Sequence, residues 1–483
     1  MSGGPEVSGG PEAIVVGAGP NGLAAAIVLA RAGLAVKVYE AEDAPGGGTR
    51  SAELTLPGFV HDPCSAIHPT AIASPFFRSI DLAARGVEWA FPPAAIAHPL
   101  GGDRAALLDG SWERTADSLG GDADAWRRLF APLARDAERL VPSLLGPVIR
   151  FPRHPLALAR FGLPAMVPVA TLARLRFGDE PARALLGGIG AHSMLPLTAP
   201  FSGAFALALG LFAHAFGWPM ARGGSGAIGD ALVAELRALG GEIVTDRRIA
   251  TLDELEPARA VLFDLTPRQI VAIAGERLGG RTRRRLERFR HGPGVFKIDW
   301  ALDGPIPWSA PDAGRAGTVH LGGLLPELVE SEAAVSRGQH ADRPFVLLAQ
   351  QTLFDPSRAP AGKHTAWAYC HVPNGSTVDM TRQIEDQVER FAPGFRDLVL
   401  ARATRSAADM EAYDANYLGG DINGGLQDWR QLLFRPIPSL DPYHLGDGLY
   451  VCSSSAPPGG GVHGMCGWHA ARSALRREFG RRV

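Results

Sequence analysis

The chain has 483 residues, of which 46% are hydrophobic and 20% charged, and its formal net charge is -2. Length and composition predict a globular protein of two or three domains. The sequence has no stripe of basic residues, which argues against a nucleic-acid partner. Four widely spaced cysteines predict reduced thiols, with no disulfide framework and no metal site. The opening MSGGPEVSGGPE lacks the basic and apolar regions of a signal peptide, so we expect a short flexible tail and a cytoplasmic protein.

Residues 13–40 predict a strand, a glycine-rich turn, a helix and a second strand. The run AIVVGAG is typical of a strand buried on both faces, and NGLAAAIVLARAG is an apolar helix that stops at Gly33. The turn matches G-x-G-x-x-G between a strand and a helix, which is the context of a dinucleotide fingerprint. We therefore expect a pyrophosphate to contact Gly17, Gly19, Pro20, Asn21 and Gly22.

The second strand ends in an acid, followed by another glycine run. Glu40 stands 18 residues after Gly22, where a carboxylate can accept hydrogen bonds from a ribose diol and repel the 2′-phosphate of NADP. The run APGGGTR suits a second backbone approach to the pyrophosphate and ribitol, although a plain loop is the alternative. Its predicted cofactor contacts are Gly47, Gly48, Thr49 and Arg50.

Residues 86–215 are predicted to be helices broken by prolines. From Ala184 to Ala221 there is no Asp, Glu, Lys or Arg. We interpret this stretch as a buried helix pair lining an apolar cavity; a membrane-surface contact and a membrane span are the alternatives. Residues 151–177 interleave four arginines with apolar residues, which leaves peripheral membrane contact open.

Residues 224–264 return to an α/β rhythm, with a helix and the strands GEIVTD and RAVLFDLT. The run GSGAIG at 224–229 also matches G-x-G-x-x-G. Because it does not follow a predicted strand, we expect a turn entering a helix and no second nucleotide site. Ile249, after the first of these strands, is a further predicted cofactor contact.

Alternating patterns predict strands at 294–302 and in VLLAQQT and TAWAYCHV, with a helix near Thr381–Phe391. The chain ends with the strand GLYVCSSS, the turn PPGGGVHG and a helix from about Met465. A glycine turn before a helix can offer N–H groups to the pyrimidine edge of a flavin, through Gly460, Gly461 and Val462; a plain helix cap is the alternative. Glycine turns at both chain ends point to one long cofactor, non-covalent FAD.

The separated α/β segments predict an α/β fold with an α+β second domain. A discontinuous Rossmann-like FAD-binding domain would comprise 12–85, 221–291 and 441–483. A substrate domain with an antiparallel sheet and helices would comprise 86–220 and 292–440.

Several segments together resemble the phytoene-desaturase-like branch of the flavin amine oxidase superfamily. They are VVGAGPNGLAAAIVLARAG with Glu40, GGGTR, HDPCSAIHP, GPGVFKIDWAL and GLYVCSSSAPPGGGVHGMCGWHAA. The resemblance runs essentially end to end and implies flavin-dependent desaturation, saturation or isomerisation of apolar molecules such as carotenoids, often at membranes. Many relatives have an arginine where this chain has Gly48, and many flavoproteins have an acid where it has Ser453-Ser454-Ser455.

Three residues are catalytic candidates. Lys297 resembles the amine-oxidase strand lysine that holds a water against flavin N5; a strand lysine paired with an acid is the alternative. His463 lies in the glycine turn predicted to face the ring, and His68 lies in a segment expected to approach it. Either histidine could move protons or be purely structural.

The sequence thus predicts an FAD-dependent oxidoreductase that exchanges hydride with a hydrophobic small molecule. A flavin amine oxidase and a non-catalytic, FAD-stabilised interaction protein are the alternatives. The substrate, electron acceptor and oligomeric state stay open.

Overall fold

The computed structural model describes residues 10–481, so most of the predicted N-terminal tail lies outside the described residues. The strands are β1 Ala13–Val16, β2 Val36–Tyr39, β3 Ala52–Glu53, β4 Val60–His61, β5 Trp89–Ala90, β6 Ala94–Gly101, β7 Arg104–Asp109, β8 Met220–Ala221, β9 Glu242–Val244, β10 Ala260–Phe263, β11 Gly294–Leu302, β12 Ala316–Leu321, β13 Val346–Ala349, β14 His364–Val372, β15 Val399–Arg405, β16 His444–Gly446 and β17 Leu449–Val451.

Seventeen α-helices lie in the described part of the chain. They are α1 Pro20–Arg31, α2 Pro69–Ala73, α3 Trp112–Ser118, α4 Ala123–Arg135, α5 Ala137–Leu144, α6 Pro155–Ala165, α7 Val169–Arg176, α8 Glu180–Ala191, α9 Ser202–Ala215, α10 Gly226–Ala238, α11 Pro267–Ala274, α12 Gly280–Glu287, α13 Leu325–Ser336, α14 Thr381–Phe391, α15 Ala407–Tyr413, α16 Trp429–Phe434 and α17 Met465–Glu478.

The first sheet has six strands in the order β16-β17-β10-β1-β2-β9. All its pairs are parallel except β16 with β17, and β1 lies between β10 and β2 with every residue buried. Helix α1 packs between this sheet and α17, so it is buried almost all round. Its alanines allow that close approach, and Pro20 fits the first turn, where no intrahelical donor is needed. This strand–turn–helix confirms the Rossmann-like α/β prediction.

The second sheet has seven strands in the order β15-β11-β14-β13-β12-β6-β7. Its pairs are antiparallel except β12 with β6, as predicted for a mainly antiparallel second sheet. Strand β11 is buried at every position, although its alternation predicted a half-buried strand. The polar side chains of its inner row are buried because the first-sheet half of the molecule covers that face.

Two local predictions are wrong. Residues 86–215 contain the hairpin β6–β7 as well as helices, because Gly101 and Gly102 take positive φ and turn the chain between two apolar runs. The run at 224–229 does follow a strand, the two-residue β8, which pairs with β5. That run nevertheless enters α10, as predicted.

The uncharged stretch from Ala184 to Ala221 forms most of α8 and all of α9, which pack together as predicted. In the described part of the chain, no single helix is both long and apolar enough to cross a membrane. The pair α6 and α7 meets the length and composition requirements together but is bent by 99°.

Candidate cofactor and substrate cavity

One cavity of about 650 Å³ connects the two sheets. Its nucleotide end is lined mainly by the first-sheet turns: Gly17, Ala18, Gly19, Pro20, Asn21, Glu40, Glu42, Gly47, Gly48, Arg50, Arg247, Arg248, Ile249, Asp264 and Asp414. Its substrate end is lined mainly by α9 and the second sheet, with His192 just after the end of α8: Leu144, Leu145, His192, Phe205, Ala208, Leu209, Phe212, Trp218, Thr318, Leu347, Trp367 and Tyr369. The C-terminal turn Pro458, Gly460, Gly461, Val462 and His463 lines the space as well.

The atoms packed against the fingerprint glycines leave no room for a side chain at these positions. A Cβ on Gly22 would lie 2.1 Å from the Gly17 carbonyl oxygen, and one on Gly19 would lie 2.7 Å from Asp264 Oδ2. Gly47, from the second glycine run, approaches so closely that its Cβ would meet Gly19 Cα at 3.0 Å. The two runs therefore form one backbone cradle at the N-terminus of α1, where a helix favours anionic groups.

The side chains at this end fit a dinucleotide. Glu40 is buried at the end of β2, and its Oε2 accepts a hydrogen bond from Ala18 N–H at 2.7 Å. Arg50 donates to the Ala44 carbonyl, yet its Nε is buried without a partner among the described residues. Asn21 Oδ1 is likewise unpartnered. A carboxylate that suits a ribose diol and a cation that suits a phosphate therefore both line this end of the cavity.

The C-terminal turn closes the cavity. Gly461 takes φ +116°, and a Cβ on Gly460 would lie 3.0 Å from the backbone of Asn423. The turn leads into α17 through Gly464, which also takes a positive φ. The predicted approach of this backbone to the cavity is therefore present.

Two predicted cofactor contacts do not reach the cavity wall. Gly22 donates its N–H to Asp264 Oδ2 at 2.8 Å, and Thr49 donates its hydroxyl to the Gly46 carbonyl at 2.7 Å. Both hold the cradle together from behind. The other predicted contacts, including Ile249, line the cavity.

Asp264 and Asp414, two of the acids that line the nucleotide end, were not predicted from the sequence. Burial raises the pKa of Asp264 to about 8, and it also raises the pKa of Asp414. Asp264 directly follows β10, at the carboxyl edge of the parallel sheet beside the fingerprint turn, where ligands bind in open α/β sheets. That placement could have identified Asp264 from sequence, whereas nothing local distinguishes Asp414.

Lys297 lies on the sheet face that borders the cavity, but it does not line the cavity itself. Its Nζ is 2.5 Å from Asp299 Oδ2 and 5.3 Å from the centre of the Trp367 ring. Burial lowers the pKa of the lysine and raises the pKa of its aspartate partner. The geometry matches the alternative of a lysine paired with an acid, and the catalytic role stays a prediction.

The two predicted histidines differ in position. His463 lines the cavity, and both of its ring nitrogens are engaged: Nε2 with the Gly459 carbonyl and Nδ1 with Met465 N–H. Burial lowers its pKa to about 4. His68 lies outside the cavity wall with its Nε2 on the Ser225 hydroxyl. The roles of His463 and His68 as proton carriers stay predictions. The hydrogen bonds of both rings hold loop segments in place.

Known proteins resemble the chain over almost its full length. A family model for an NAD(P)-binding Rossmann-like domain matches residues 15–80. The chain is 26% identical to pyridine nucleotide-disulfide oxidoreductase domain-containing protein 2 of Rattus norvegicus, over 96% of this chain and 93% of that protein. It is 29% identical to phytoene dehydrogenase of Streptomyces griseus, over 81% and 78%. Cyclohexylamine oxidase from Brevibacterium oxydans shares the fold, with a TM-score of 0.61 at 16% identity, over 98% and 100%. The resemblance drawn from the motifs is confirmed.

Proposed function

We propose that the protein binds FAD non-covalently and exchanges a hydride with a largely apolar small molecule. The observation that carries this proposal is the continuity of one cavity from the glycine cradle at α1 to a chamber walled by α9 and the second sheet. When bound, FAD supplies the hydride acceptor or donor at N5. The chain supplies a binding frame, a dry chamber and fixed charges.

In this proposal the cradle glycines and Arg50 hold the pyrophosphate, and Glu40 holds the ribose diol. The glycine turn at 459–461 faces the flavin from the C-terminal side. A visible absorption spectrum of the purified protein, repeated on the supernatant after denaturation, is the first test. We expect flavin bands that move into the supernatant. A folded, colourless protein that takes up no added FAD would refute the proposal.

The walls of the substrate end favour an uncharged, apolar substrate. Phe205, Leu209, Phe212 and Leu347 line it, while the carboxylates of the cavity wall lie at the nucleotide end. The second candidate is oxidation of an amine, which Trp218, Trp367 and Tyr369 support by lining the same chamber. However, Trp367 and Tyr369 stack on one side of it, with ring centres 5.7 Å apart, and do not form two facing walls.

We expect Lys297→Met to slow photoreduction of the bound flavin by about tenfold or more, because general acid–base groups contribute on this scale or above it. The variant K297M/D299N is the matched control, because it removes the carboxylate that would otherwise be left buried without its cation. Identical, very slow rates in the wild type and both variants would favour the non-catalytic alternative.

We also propose that the segment 151–177 contacts the surface of an anionic membrane. It exposes Phe151 by 99%, Leu156 by 77% and Leu175 by 75%, and Arg153 and Arg174 are exposed beside them. Helix α6 of this segment packs against α9, which lines the cavity, so a membrane contact would place lipid close to the chamber.

Replacing Phe151 and Leu156 together by aspartate should lower sedimentation with phosphatidylserine-containing vesicles by on the order of tenfold or more, because each buried side chain contributes roughly 1.5–3 kcal/mol. Leu440→Asp is the control, since Leu440 is 81% exposed outside this segment. Wild-type protein that does not sediment with these vesicles would refute the membrane proposal.

A further inference from the structure

At the substrate end, Tyr369 and Leu347 line the cavity and belong to one row of residues across the second sheet. Lys297, Tyr369, Leu347 and His320 are direct cross-strand partners in succession, so their side chains share one face. Neighbouring strands lie about 4.8 Å apart, which places His320 and Tyr369 about 10 Å apart on either side of Leu347. A ligand lying on Leu347 can therefore be reached from both flanks.

On one flank, His192 stands over His320. It follows the last residue of α8 and lines the cavity, and its Nε2 lies 3.0 Å from His320 Nε2. The Nδ1 atom of His192 has no hydrogen bond within residues 10–481. It is not fully buried, so a molecule in the cavity can reach it. Burial lowers the pKa of His192 to about 3, so the ring is neutral. Because His320 can either donate to His192 or accept from it, Nδ1 can present a donor or an acceptor.

On the other flank, the Tyr369 hydroxyl also reaches the cavity. It too lacks a hydrogen bond within the described part of the chain and is not sealed. Burial raises the pKa of this phenol, so it stays protonated and can donate. The Thr318 hydroxyl, by contrast, accepts a hydrogen bond from Trp218 Nε1 at 2.9 Å.

We propose that His192 and Tyr369 form a recognition site for an uncharged oxygen, and that the substrate is an apolar molecule carrying a carbonyl or hydroxyl group. A pure hydrocarbon would enclose both polar atoms without a hydrogen-bond partner, which is unfavourable for each of them. A neutral histidine and a neutral phenol provide no counter-charge for an ammonium or a carboxylate. This inference rests on the proposed function and narrows its substrate class.

The test compares two probes of one shape, 4-phenylbutan-2-one and butylbenzene, by equilibrium dialysis against FAD-saturated protein. We expect the ketone to bind at least about tenfold more tightly, which corresponds to one restored hydrogen bond of about 1.4 kcal/mol. His192→Phe and Tyr369→Phe should each reduce this preference, and the double variant should abolish it while butylbenzene still binds. Tyr450→Phe is the control, since it removes a hydroxyl that bonds Glu478 outside the cavity.

Equal binding of the two probes to wild-type protein would overturn the proposal, and so would a ketone preference that survives in the double variant. Loss of the preference in Tyr369→Phe alone, which keeps the ring and the fold contacts, would support it even if His192→Phe fails to fold. The proposed function fails separately, by an absence of bound flavin in the absorption spectrum.

Discussion

Replacing Asp264 by asparagine should tighten FAD binding above about pH 8 and remove the pH dependence that this carboxyl group confers. The carboxyl group lines the nucleotide end and accepts from Gly22 N–H at the start of α1, where a pyrophosphate is expected to bind. Burial raises the pKa of Asp264 to about 8, so the wild-type group is neutral below that pH and negative above it. Asparagine keeps an oxygen acceptor for Gly22 and cannot ionise.

The wild-type dissociation constant for FAD should therefore be flat below about pH 8 and then rise by up to about tenfold per pH unit, because binding takes up one proton. The raised pKa of Asp264 also affects the stability of the apoprotein. The stabilisation that this carboxyl group provides below its unfolded pKa of 3.8 is lost as the pH rises to about 8. Flavin fluorescence titrations at pH 7, 8, 9 and 10 measure the binding curve.

Asp43→Asn is the control for charge alone, since Asp43 is exposed in the loop after β2 and does not line the cavity. We expect this variant to retain the wild-type pH dependence. A D264N protein whose FAD affinity still falls above pH 8 would show that another group carries the proton.

Replacing Arg358 by methionine should cost about 3–5 kcal/mol of unfolding free energy, the usual penalty for breaking a buried ion pair. The guanidinium is fully buried and donates to Asp62 at 2.8 Å, to Asp355 at 3.0 Å and to the Ala221 carbonyl at 3.1 Å. Its loss leaves two enclosed carboxylates without a cation. Denaturant unfolding of the wild type and the variant measures the difference.

Two comparisons separate the lost ion pair from lost packing. Adding Asp62→Asn and Asp355→Asn to R358M should recover part of the stability, because no unpaired charge is then left buried. Arg382→Met should change the free energy of unfolding by less than about 0.5 kcal/mol, since Arg382 is 89% exposed and its partner lies 3.6 Å away. Similar losses in R358M and R382M would contradict this explanation.

Local sequence patterns predicted much of the first sheet and of the cofactor cradle. The fingerprint residues, Glu40 and the C-terminal glycine turn could be identified because backbone close approach demands glycine at fixed spacings and a ribose diol demands an acid after the second strand. The hairpin β6–β7 could not, because its alanine-rich strands have helix-forming composition and are held as strands by pairing with each other and, for β6, with β12.

Sequence alone determined the glycine cradle, the uncharged helix pair and the resemblance to a flavoprotein branch. Each of these depends on segments or motifs within which the residues lie close together in the chain. Tertiary structure decided what distant side chains do. Asp264 meets Gly22 across 242 positions, and His192 meets His320 across 128. Lys297 pairs with Asp299 two residues away, but only the tertiary structure buries both side chains and so encloses the ion pair beside the cavity. Protonation and hydrogen bonding depend on which groups are enclosed together, and folding alone sets that enclosure.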